Sequence, residues 1–291
     1  MNKLAPMAPA YQRSAAAGMS AGIPCVLSIA GSDSGGGAGV QADLKAFAAC
    51  GVHGMTAITA ITAQSTVGVA GVQPVAPEMI VAQVRAVAHD IGVDAVKVGM
   101  LGDVATIEAV SRVLDELGGR DTVPIVLDPV MVSESGSRLL AQDALGAMVD
   151  LLLPRALVIT PNLPEARALA DAQDADPEAL VRSLRSLGPE VVVVTGGHRE
   201  VATDLFFDGS QTVEIPGERF PNTAAHGSGC THSSILAARL AWGDTPLDAA
   251  REAKRRASMA VRDGLQGVGE GPGPVDVLGL SRRGPAGIQV P

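Results

Sequence analysis

The chain has 291 residues, of which 47% are apolar and only 2% aromatic, with a net charge of −9 and three cysteines. An acidic chain that lacks aromatic stacking platforms is unsuited to nucleic acid. No apolar run reaches the ~18 residues of a membrane span, and Cys25, Cys50 and Cys230 have neither disulfide-framework nor zinc spacing. The expectation is a cytoplasmic, reduced protein with a core of Ala, Val, Leu and Ile, as closely packed parallel strands covered by helices require.

In chain order, residues 1–22 carry no periodic apolar face and read as a disordered extension. A single domain is expected over 23–279, and a loose tail over 280–291. Cys25 to Ala30 reads as a buried strand that enters GSDSGGGAG, residues 31–39. Val40, Leu44, Phe47 and Ala48 then recur at helical spacing up to Gly51, a C′ glycine. Met55 to Thr62 reads as a second strand, and Ile80, Val84, Val87 and Ile91 mark the next helix. Ala95 to Val98 is a short strand before a helix with Ile107, Val110, Leu114 and Leu117. Further strands are expected at 124–127, 157–160 and 191–194, then a hairpin of 204–207 and 212–215 around Asp208-Gly209. Two helices, split at Gly243-Asp244-Thr245-Pro246, fill 229–263. This alternation implies a doubly wound α/β domain, whose ligands bind beyond the carboxyl ends of the strands.

Three constellations lie at such positions. GSDSGGGAG joins a strand to a helix N-terminus, where a polar ligand or phosphate is commonly received. It fits neither G-x-G-x-x-G nor the P-loop, because Gly37 stands where the P-loop has Lys. HGSGCTHSS, residues 226–234, opens a helix with small residues, so Gly227, Ser228 and Gly229 can offer N–H groups to a developing negative charge. Cys230 lies in that first turn, where the helix dipole favours thiolate; the alternative is a small buried thiol. Asp128 and Glu165, at strand ends, suit Mg²⁺, although Asp is also an ordinary cap and Asn162-Leu-Pro-Glu165 an ordinary helix start. His226 is kept as a supporting group near the cradle. Arg251, Lys254, Arg255 and Arg256 read as an exposed helix face.

Together these residues resemble the hydroxymethylpyrimidine/phosphomethylpyrimidine kinases of thiamine biosynthesis. The marks are SIAGSDSGGGAGVQADLKAF, TAITAQSTVGV, KVGML, VLDPVM, TPNLPEA, VVVTGGH, HGSGCTHSS and GEGPGPVD, in this order from Val26 to about Val277. The resemblance implies a ribokinase-like three-layer α/β/α sandwich with a mostly parallel central sheet, commonly dimeric. It further implies ATP and Mg²⁺ as cofactors, and a pyrimidine alcohol and then its monophosphate as acceptors. It assigns Gly31, Ala38, Asp43, Gln64, Met100 and Val130 to the pyrimidine pocket, with Gln64 recognising the aminopyrimidine. Asn162, Thr195 and Ser228 fall on the nucleotide side, Asp128 and Glu165 on the metal, and Gly227, Gly229 and Cys230 on the catalytic cradle. Thr195 stands where a number of members have Lys, and His232 where an apolar residue is usual. A pyridoxal kinase is the nearest rival reading; a pyrimidine sensor without turnover and a sugar kinase are more distant ones.

Overall fold

The computed structural model describes residues 22–134, 136–196, 202–220 and 224–282. The expected extension lies outside the described residues but for its last position, as does the tail from 283 onward. Leu280 and Ser281 are described, and their N–H groups donate to the Asp276 carboxylate.

The elements in order are β1 (Cys25–Asp33), α1 (Gly39–Ala49), β2 (His53–Ser65), β3 (Gly68–Pro74), α2 (Pro77–Asp90), β4 (Ala95–Val98), α3 (Val104–Glu116) and β5 (Ile125–Leu127). They continue with α4 (Ala144–Ala147), β6 (Val158–Ile159), α5 (Leu163–Leu169), α6 (Pro177–Ser186), β7 (Val191–Val194), β8 (Asp204–Phe207), β9 (Thr212–Ile215), α7 (Ser228–Ala241) and α8 (Pro246–Arg262). One nine-stranded sheet has the order β3-β2-β1-β4-β5-β6-β7-β8-β9. From β2 to β7 the strands are parallel, and antiparallel β3, β8 and β9 finish the edges.

Because strand side chains alternate, each central strand feeds two cores. Leu27, Ile29, Leu127 and Ile159 face α2, α3, α5 and α6, where Ile80, Val84, Ile107 and Leu180 meet them. Val26, Val126 and Val158 face α1, α7 and α8, against Phe47, Ile235, Leu236, Ala250 and Ala253. The three-layer sandwich is therefore formed as expected.

Three departures matter. β1 runs on to Asp33, with a register shift between Ala30 and Ser32, so Gly31 belongs to the strand and the glycine loop starts later. β2 reaches Ser65 and pairs with β3, a strand that Gly68, Gly71 and Pro74 conceal in the sequence. Its position on the edge tolerates those residues. The run around Lys254 is not one exposed face. Lys254 is buried and its Nζ donates to Asp204 Oδ1 at 2.7 Å, while Arg256 reaches Ala49 O.

Candidate active site

Past the carboxyl ends of the parallel strands opens a cleft of about 420 Å³. Every candidate residue from the sequence except Asp43 lines it. Gly31, Ala38, Gln64, Met100 and Val130 line it together with Asp128, Asn162, Glu165, Thr195 and Gly227 to Cys230.

A Cβ on Gly31 would come within 2.9 Å of Met100 Sδ, so glycine there lets Met100 approach. Gln64 is fixed at the end of β2: its N–H donates to Ser34 Oγ, and that hydroxyl donates to Gln64 O. Thr62 Oγ1 donates to Ser32 O at 2.9 Å and stands 3.2 Å from the Gln64 amide, which places that amide, with its donor and acceptor groups, at the cleft.

Asp43 lies beneath the cleft floor, fully buried. Its carboxylate accepts from Ser28 Oγ at 2.6 Å and Ser234 Oγ at 2.7 Å, and pairs with Lys97 Nζ at 3.0 Å. Lys97, also buried, lies 3.8 Å from Asp128 Oδ2. Burial alone would lower its pKa, but its neighbours, Asp43 first and Asp128 after it, together outweigh burial and secure the charge. Asp128 in turn accepts from Ser233 Oγ on α7 at 2.9 Å. A buried charge network thus ties β1, α1, β4, β5 and α7 together under the site.

At the cradle, Gly227 caps α7 with φ +81°, a left-handed conformation that favours glycine. A Cβ there would lie 1.7 Å from Gly37 O. The Ser228 N–H is spent on Ala225 O, which leaves Gly229 and Cys230 as donors without a backbone acceptor among the described residues. Of the two readings of Cys230, its surroundings favour the thiol over the thiolate. Burial pushes the thiol up to about 12, and Asp128 and Asp43 add to it against the opposing charge of Lys97. Loss of hydration outweighs the helix dipole, whose effect is about 0.3–1 kcal/mol at an exposed site.

Asn162 and Glu165 form a capping box at α5: Glu165 N donates to Asn162 Oδ1, and Asn162 N to Glu165 Oε2, both at 2.9 Å. Asn162 also bridges Thr195, the end of β7. Burial, then the Asp128 charge, pushes the Glu165 carboxyl up to about 8; burial likewise raises Asp128 against Lys97. Asp128 is buried and Glu165 half-buried, and the Asp128 charge disfavours that of Glu165; such a pair fits a divalent cation, and oxygen donors suit Mg²⁺. Nearby Thr160 Oγ1, on the same cleft, is buried without a partner. The residues present therefore fit the metal that the family implies.

The pH sign at Glu165 follows. Its folded pKa lies above the ordinary 4.5, so the folded state binds the extra proton and stability falls as pH rises from about 4.5 through 8. Glu165→Gln keeps an acceptor for the cap. It is expected to melt above the parent at pH 8, by roughly 2–4 °C per kcal/mol relieved, with the difference shrinking toward pH 5. Calorimetry across that range checks it; a difference independent of pH would contradict the shift.

Sequence reasoning missed Asp33 as well as Lys97. The Asp33 carboxylate accepts from the N–H groups of Gly35, Gly37 and Ala38 at 2.7, 3.0 and 2.7 Å, and lies 3.1 Å from His226 Nε2. Asp204 holds Lys254, with His232 Nε2 at 3.2 Å from its other oxygen. Gly197, His198, Asn222 and Thr223 lie outside the described residues.

A mostly parallel sheet between helical layers, with a glycine cradle on a helix N-terminus and carboxylates at the strand ends, defines a ribokinase-like small-molecule kinase. The family model described as phosphomethylpyrimidine kinase matches residues 33–276, and the chain belongs to that family. It is 47% identical over 258 residues to the hydroxymethylpyrimidine/phosphomethylpyrimidine kinase of Rhizobium meliloti, covering 86% of this chain and 95% of that one. Among solved structures, the Bacillus subtilis pyridoxal kinase in an ADP complex has a TM-score of 0.81 at 34% identity, covering 89% and 99% of the two chains. The phosphomethylpyrimidine kinase of Clostridium difficile has a TM-score of 0.72 at 36% identity, covering 82% and 99%.

Proposed function

We propose that this protein is an ATP- and Mg²⁺-dependent kinase that phosphorylates 4-amino-5-hydroxymethyl-2-methylpyrimidine and then its monophosphate, supplying thiamine biosynthesis. The observation that carries the reading is one cleft lined by both Gln64 and the α7 glycine cradle, in a chain of this family. ADP in the B. subtilis neighbour supports ATP as donor. In the same reading the protein is a cytoplasmic homodimer, in keeping with Ile61, Val67 and Val72 exposed on the β2–β3 hairpin.

Gln64 offers its amide donor and acceptor to the ring nitrogen and amino group of the acceptor, while Met100 and Val130 cover the ring. The N–H groups of Gly229 and Cys230 at the positive end of α7 stabilise charge on the transferring phosphoryl. Asp128 and Glu165 would hold Mg²⁺, which when bound neutralises phosphate charge. Phosphoryl transfer passes through a loose transition state that asks more for placement than for a strong base. A thiol at about 12 therefore orients the hydroxymethyl oxygen by hydrogen bonding. Cys230→Ser, which keeps such a group, should retain kcat within about tenfold. A loss of 10²–10⁴-fold, the scale of general-base removal, would make Cys230 the base instead.

The reading is tested at Gln64. Gln64→Leu leaves the polar edge of the ring unpaired, at about 1–3 kcal/mol, or roughly 5- to 150-fold in pyrimidine KM, with ATP KM unchanged. Equal weakening of both substrates, or faster turnover of pyridoxal than of the pyrimidine alcohol by the parent, would overturn it.

A further inference from the structure

We propose that Asp33 and His226 form a latch that locks the glycine loop onto the α7 cradle, so that His226 is a positioning residue for phosphoryl transfer. The partners are 193 residues apart in sequence, and both line the cleft. Residues 33–38 wrap around one carboxylate, which spends its two oxygens on three backbone N–H groups and on His226 Nε2. Burial opposes that charge, but the His226 bond and the backbone N–H groups outweigh it and hold Asp33 below its usual pKa. The link needs only an Nε2–H on the imidazole.

On its other side His226 is fixed by backbone. Its N–H donates to Gly273 O, and its carbonyl accepts from Val275 N. It directly precedes Gly227, the cap of α7. The fit between loop and cradle is tight. A Cβ on Gly37 would lie 2.1 Å from His226 Cδ2, and one on Gly227 would lie 1.7 Å from Gly37 O. The imidazole also lines a small cavity that Gln64 shares. The pair thus sets the distance between the pyrimidine end of the cleft and the N–H groups that receive the phosphoryl. A misplacement of about 1 Å between reacting groups costs on the order of 10²-fold in rate.

The inference rests on the proposed kinase reading, and its test combines turnover with a readout that needs no substrate. Gly37 has no positive φ, so Gly37→Ala is tolerated by the backbone and acts by expelling the imidazole. Gly37→Ala and His226→Ala should each lower kcat/KM for the pyrimidine by about 10²-fold with ATP KM unchanged. The Gly37→Ala/His226→Ala double variant should be no worse than His226→Ala, because the vacated space accepts the methyl group. His226→Gln, which keeps a donor, should recover part of the loss. Without substrate, the amides of Gly37 and Ala38 should exchange hydrogen at least about tenfold faster in His226→Ala. Multiplicative losses in the double variant, or unchanged amide exchange, would overturn the latch. So would a lowered Tm with kcat/KM intact, which marks a purely structural contact. A parent protein inert toward the pyrimidine would sink the kinase reading and leave the latch to be judged by exchange.

Discussion

Gly227→Ala is expected to lower kcat by about 10²–10³-fold, the cost of losing a preorganised donor to developing negative charge. The methyl group meets Gly37 O at 1.7 Å, and a residue at φ +81° has no relaxed alternative. The first turn of α7 must therefore move away from the glycine loop, and the N–H groups of Gly229 and Cys230 move with it. Tm should fall as well. Gly229→Ala is the internal control for stability, since its Cβ would meet nothing within 4 Å; its Tm should match the parent. Steady-state kinetics and thermal melts of both variants check this, and a Gly227→Ala protein with parental kcat would remove the cradle from the account.

The largest stability effect is expected at Lys97. Lys97→Met strands the Asp43 carboxylate, fully buried, with only Ser28 and Ser234 as partners. Removing one member of a buried pair costs about 3–5 kcal/mol, so Tm should drop on the order of 10 °C. Adding Asp43→Asn removes the stranded charge and still bonds both hydroxyls, and should restore more than half of the loss. Denaturant titration of the single and double variants decides the matter. A double variant no more stable than Lys97→Met would mean that the lysine acts by packing, not charge.

These two sites also show what the sequence made legible. Gly227 was found because small residues opening a helix leave donors free, a local property of the chain. The same reasoning left thiolate and thiol open at Cys230, because the charged groups that bear on it, Lys97, Asp128 and Asp43, come from distant segments. Lys97 went unnoticed, although a lysine inside Ala-Val-Lys-Val, a strand buried on both faces, is itself a signal that a buried anion waits across the sheet. Asp33 was hidden by assigning it to a loop, when it ends β1 and gathers the loop around its carboxylate. Lys254 was masked by its basic neighbours. Its place between Ala250, Ala253 and Ala257 on the packed side of α8 was visible in the spacing, but Asp204 as its partner was not. Fold and cleft follow from periodicity and strand ends, whereas ion pairs between distant segments become visible only in three dimensions.

One cleft is expected to phosphorylate the pyrimidine alcohol twice. ³¹P NMR of the purified full chain with ATP, Mg²⁺ and 4-amino-5-hydroxymethyl-2-methylpyrimidine follows both products in time. The monophosphate should rise first and the diphosphate follow, with one ATP consumed per step and both steps slowed by Gly227→Ala. No phosphate transfer to the pyrimidine, or transfer that survives Gly227→Ala unchanged, would contradict it.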